Sequence, residues 1–109
     1  MTGSHGVVRG RLEGPAAAPA SGEVVRRLAA VRSLVVEEIL SGVLPEPVEY
    51  VQEQDEWVAL LAGRARLEAE GETHELGPGD WLLLPAGVPH TLLETEPGSA
   101  WLAVHLHDG

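Results

Sequence analysis

The chain has 109 residues, 44% of them apolar, with no cysteine and a net charge of −10 when its five histidines are neutral. That length supports one domain with a modest core, and the apolar share marks a globular chain. The lack of thiols leaves only nitrogen and oxygen donors for a metal, and with arginine as the only basic residue type the surface suits neither nucleic acid nor an acidic membrane.

No stretch approaches the roughly 20 apolar residues of a membrane span. The start, "MTGSHGVVRG", has no basic region followed by an apolar core, so a cytoplasmic location is expected. Residues 1–20 contain "EGPAAAPASG" and read as an extended or flexible arm, with His5 solvated in a tag-like "GSH". Residues 21–31, "SGEVVRRLAAV", place Val24, Leu28 and Val31 at helical spacing behind Ser21 as N-cap and Glu23 in the first turn. A short helix is expected there.

Period-two alternation with frequent turn signals follows. "SLVVEEILS" reads as a strand ending at Ser41–Gly42, and Pro45 and Pro47 interrupt the chain. "VEYVQEQ", "EWVALLA", "RARLEAE", "ETHEL", "WLLLP", "HTLLET" and "AWLAVHLH" continue the series. About eight short strands at such spacing indicate a sandwich or small barrel.

The stretch "GDWLLLPAGVPH" carries the most specific pattern. It runs glycine, five residues, proline, one residue, glycine, two residues, histidine, from Gly79 to His90. Upstream, Glu56 is followed by six residues and then Gly63. Between the blocks, "RARLEAEGETHELGP" is long enough for two strands and a turn. Gly79 permits a tight turn into the strand. Leu82 and Leu84 are expected to face the interior, with Trp81 and Leu83 against a second apolar layer, as in a strand covered on both sides. Pro85, Gly87 and Pro89 form a stiff loop that sets the register of the next strand, which His90 opens pointing inward.

These spacings resemble the two motifs of the cupin superfamily (RmlC-like, cupin-2 type) over about residues 33–107. The resemblance implies an all-β double-stranded β-helix, a jelly-roll barrel, here with a short N-terminal helix and arm. The expected division is an arm at 1–20 and a barrel domain at 21–109. In cupins the residue matching His90 is a metal ligand, and most metal-binding members carry a His-x-His pair before the glutamate. Here the three-residue gap before Glu56 lands on Gln52 and Tyr50, and the four-residue gap lands on Val51 and Glu49, a poorer set for an inward pair. The sequence is similar to a branch with Tyr-x-Gln followed by Glu-Trp-Val and ending in Trp-Leu-Ala-Val-His, as in "YVQEQDEWV" and "WLAVH".

The resemblance thus implies a metal set of Gln52, Glu56 and His90, with Tyr50 beside it as candidate catalytic residue. Such mixed donors suit Zn, Mn, Fe or Ni. Gln52 carries no charge and is a weak ligand. Tyr50 is a candidate ligand or substrate contact, or an acid or base if its pKa is lowered. The bland alternative is that Tyr50 and Gln52 only satisfy a buried Glu56.

His105 and His107 alternate with leucines on the last strand. Leucines facing inward turn both histidines outward, which is the expected arrangement; the reverse brings His105 into the pocket. His74 is expected near a turn and solvated, and Asp80 in a turn. Trp57, Trp81 and Trp101 are expected as outer-face anchors. Exposed apolar faces argue for a homodimer, with the 33–41 strand and the arm as the elements to cross over. Two function classes stand: a metal-dependent enzyme acting on a small organic molecule, and a non-catalytic small-molecule-binding or regulatory module without metal. A sugar-nucleotide pocket lacks a basic residue placed for the pyrophosphate, since only Arg64 and Arg66 fall inside the barrel region.

Overall fold

The computed structural model describes residues 6–108, so His5 lies outside the described residues. Among the described residues nine strands follow one another: β1 (Glu23–Val31), β2 (Leu34–Ser41), β3 (Val48–Tyr50), β4 (Asp55–Ala62), β5 (Ala65–Ala69), β6 (Glu72–Leu76), β7 (Trp81–Leu84), β8 (His90–Thr95) and β9 (Ser99–Leu106). They form a five-stranded sheet in the order β1-β2-β9-β4-β7 and a four-stranded sheet in the order β3-β8-β5-β6. All the ladders are antiparallel. These two antiparallel sheets make the jelly-roll arrangement that the resemblance implied.

The expected helix over 21–31 is instead strand β1. The helical spacing of Val24, Leu28 and Val31 is real, but β2 offers a ladder from Glu23↔Ser41 to Val31↔Leu34. Valine loses side-chain freedom in a helix and packs well on a pleated surface, so the long-range ladder wins over a marginal isolated helix. Arg32 turns the hairpin at φ 50. The only helical turn among the described residues is a 3-10 turn at Pro15–Ala17.

The arm is anchored to the outer face of β2. Glu38 is 1% exposed. Its carboxylate accepts the Glu13 and Gly14 amides, each at 3.0 Å, and pairs with Arg26 at 3.2 Å. Arg26 also donates to the Arg11 carbonyl at 2.8 Å. Burial alone opposes ionisation of Glu38, but the two amides and Arg26 outweigh it and hold the carboxyl below its ordinary value.

The core fills one part of the barrel with Leu60, Leu67, Leu76, Leu92, Trp101 and Ala103 among others. Trp101, expected on the outer face, is 3% exposed and donates its indole N–H to Ser41 Oγ at 3.1 Å. The reason is parity. Trp101, Ala103 and His105 share one face of β9, and the register sets Trp101 beside Ile39 and Leu60, which face the interior. Trp57 and Trp81 do lie outside, with ring centroids 6.1 Å apart. Leu84 is buried and Leu82 partly so, whereas Trp81 and Leu83 are each 59% exposed. No second layer among the described residues covers them.

Gly63 explains its place in the upstream motif. Its φ is +86, and a Cβ there would collide with Ser99 of the neighbouring strand.

Candidate functional site

The Pro-Gly-Pro loop is docked rather than merely stiff. Gly87 donates its amide to the Gln52 carbonyl at 2.8 Å, and Ala86 donates to Asp55 Oδ1 at 2.7 Å. The loop is therefore stitched to the β3–β4 connection, the segment that carries Gln52 and leads into Glu56. His90 emerges from it 5% exposed, cross-strand from Tyr50, whose ring stacks on it at 5.5 Å between centroids. His90 Nδ1 lies 3.4 Å from the Val88 carbonyl, a long contact that favours the proton on that nitrogen. No hydrogen bond engages its Nε2 among the described residues.

Glu56 sits on β4 between two strands, opposite Leu84 on β7 and His105 on β9. It is 7% exposed. Burial pushes its carboxyl above the ordinary value; His105, His90 and the Gln52 amide offset this only in part, and Glu37 adds to it. The contrast with Glu38 is direct. Both carboxylates are buried, but only Glu38 has backbone amides and an arginine to hold its charge.

His105, expected to face outward, faces the interior and is 8% exposed. The same parity that buries Trp101 and Ala103 turns it in. Its Nε2 donates to Glu37 Oε1 at 2.9 Å and lies 3.9 Å from Glu56 Oε2, while Gln54 Nε2 meets its Nδ1 at 3.3 Å. Both ring nitrogens are thus engaged. His107 is exposed, His74 half-buried, and Asp80 closes its turn by accepting the Gly77 amide at 2.8 Å.

Tyr50 donates its hydroxyl to Glu23 Oε1 at 3.1 Å. Burial and the adjacent Glu23 push the phenol up to about 12. The lowered pKa that would make Tyr50 an acid or base near neutral pH is therefore not found; it is a neutral hydrogen-bonding group.

Tyr50, Gln52, Glu56, His90 and His105 all line one cavity of about 160 Å³. Glu23 and Glu37 line it too, and the remaining wall is apolar, with Leu67, Leu84, Leu92 and Trp101. The sequence reading missed Glu23, placed in the expected helix, and Glu37. The signal for Glu37 was an adjacent Glu-Glu pair inside an apolar strand, where one side chain must face inward. Among the described residues, no three His, Cys, Asp or Glu side chains gather closely enough to hold a metal ion. Glu56 and His90 with the carboxamide of Gln52 make an incomplete set.

The family model for the cupin domain matches residues 36–105. The chain belongs to the cupin family. This cupin is similar to a Ralstonia eutropha protein provisionally named mannose-6-phosphate isomerase, with 35% identity over 88% of this chain and 93% of that one and a TM-score of 0.74. A Streptococcus pyogenes protein of unknown function matches at 19% identity, TM-score 0.72, over 94% and 92% of the two chains. KdgF from a Halomonas species matches at 21% identity, TM-score 0.69, over 81% and 82%. These two likenesses are of fold alone. No curated protein sequence matches this cupin. No helix among the described residues is long and apolar enough to cross a membrane.

Proposed function

We propose that this cupin binds a small organic molecule in the barrel cavity without needing a metal. The observation that carries the reading is the pairing of an apolar wall with two buried polar groups, Glu56 and His90, that no strong structural partner claims. A buried carboxylate whose charge is poorly supported is costly in a purely structural role, and such groups cluster at functional sites. The ligand's body would rest on Leu67, Leu84 and Leu92. Its polar end would meet Glu56, His90 and Gln52, with Tyr50 holding His90 by stacking. The test is a titration with small neutral ring compounds followed by amide chemical shifts. Saturable shifts at His90 and Leu92 support the reading, and shifts confined to the outer surface refute it.

A divalent cation held by Gln52, Glu56 and His90 is the second reading. It draws on His90, whose Nδ1 contact to a backbone carbonyl leaves Nε2 as the lone-pair nitrogen, the arrangement of many ligating histidines. An imidazole, a carboxylate and a carboxamide form a weaker set than three histidines. Elemental analysis of protein purified without a metal column decides between the two. The homodimer belongs to the proposal as well. Exposed Trp81 and Leu83, and Val24 and Val25 on the free edge strand β1, support a second copy. β2 is flanked on both sides by β1 and β9 of its own chain, so β1 rather than β2 offers the edge.

A further inference from the structure

Three carboxylates line the cavity, Glu23, Glu37 and Glu56, and none of the chain's seven arginines does. The arginines have other positions. Arg26 is tied to Glu38 on the opposite face of the sheet, and Arg66 pairs with Glu94 on the other sheet. Arg64 lines a separate surface groove with Arg66. Arg27 is cross-strand from Glu37, but it is exposed and forms no salt bridge with it among the described residues. The two histidines do not balance the three acids, because His105 is already shared between Glu37 and Glu56.

We infer that the cavity selects a small organic amine, bound as its ammonium ion, and rejects anions such as carboxylates and phosphate esters. This rests on the small-molecule reading above and adds the charge of the guest. An ammonium group brings donors to a place rich in acceptors. Glu56, Glu37 and His90 line the cavity, and Glu37 Oε2 and His90 Nε2 have no hydrogen-bond partner among the described residues. Glu23 is already the acceptor for Ser41 at 2.6 Å and Tyr50 at 3.1 Å, so it contributes field rather than a contact. The volume, about 160 Å³, is on the scale of an apolar cavity that takes a benzene-sized guest. A phosphosugar, which the name of the Ralstonia protein suggests for that protein, would meet acids where it needs cations.

The test compares guests of one shape and three charges: benzylamine, benzyl alcohol and benzoate, with mannose 6-phosphate added. The full chain is dialysed against a chelator, and binding is read by calorimetry and by shifts at His90 and Leu92. A partly buried charge of opposite sign changes affinity by about tenfold or more. Benzylamine is therefore expected to bind at least about tenfold more tightly than benzyl alcohol, with benzoate and mannose 6-phosphate weaker still. Glu56→Gln and Glu37→Gln are each expected to weaken benzylamine by about tenfold and benzyl alcohol by less, so that the ratio between the two guests falls; a ratio unchanged in both variants overturns the proposal. If benzyl alcohol binds but benzylamine gains nothing, the amine proposal fails and the cavity reading stands. If none of the probes shifts the cavity residues, both fail. If benzoate or mannose 6-phosphate binds only after zinc is added, the anion is held through a metal and the amine proposal is overturned in favour of the cation reading.

Discussion

Glu38 and Glu56 offer the sharpest contrast in this molecule, because one substitution should act with opposite sign at the two positions. Glu38→Gln removes the charge that accepts the Glu13 and Gly14 amides and Arg26. A hydrogen bond to a charged group contributes about 1.5–3 kcal/mol. Arg26 is 38% exposed, so water recovers part of its loss. The expected cost is about 2–3 kcal/mol in total. With a urea slope of about 1–3 kcal/mol per molar, the midpoint should fall by about 0.7–3 M. Glu56→Gln instead removes a buried charge with little support, and should stabilise by about 1 kcal/mol. The pH profiles follow. Glu38 is held below its ordinary 4.5, so its stabilising contribution is full above that pH and is lost as the pH falls through the folded value. Glu56 is held above 4.5, so its contribution is present at low pH and is lost as the pH rises towards its folded value. Each Gln variant should lose its own limb of the profile. Urea titrations from acid to neutral pH test both. A Glu38→Gln effect under about 0.5 kcal/mol would refute the anchoring argument. A destabilised Glu56→Gln protein would mean that the carboxylate is a structural partner of His105.

Other expectations concern the site and the surface. Tyr50 is the sole tyrosine, so ultraviolet absorbance should show a single phenol ionising at about 12; a midpoint near 10 would mean that Glu23 does not hold it. On the cation reading, Gln52→His should tighten zinc binding by about tenfold or more, and His90→Ala should abolish it. Zinc uptake indifferent to both changes rules out this site. Trp81→Glu combined with Leu83→Glu should convert a dimer into a monomer by light scattering. A wild-type chain already monomeric at micromolar concentration sinks the dimer.

Much of the barrel is legible in the sequence. The strand β8 over 90–95, the Gly79 turn and the Pro-Gly-Pro loop are local matters, settled by alternation and by residues with restricted or unusual backbone angles. Gly63 is local in its φ of +86, whereas its closeness to Ser99 is a tertiary contact. The resemblance that these spacings carry implied Gln52, Glu56 and His90 as a set, and they do line one cavity.

Three features were not legible, and each depends on a neighbour in space. Segment 23–31 is compatible with a helix until β2 supplies a ladder. His105 and Trp101 share a face of β9, but alternation states only which residues lie together, never which side is the interior. That choice is made by Ile39, Leu60 and Ala103 packing at the same time. Glu37 and Glu38 are adjacent and chemically identical in the chain, yet one lines the cavity and the other anchors the arm. A carboxylate's role is set by what surrounds its oxygens, and those surroundings come from strands distant in sequence.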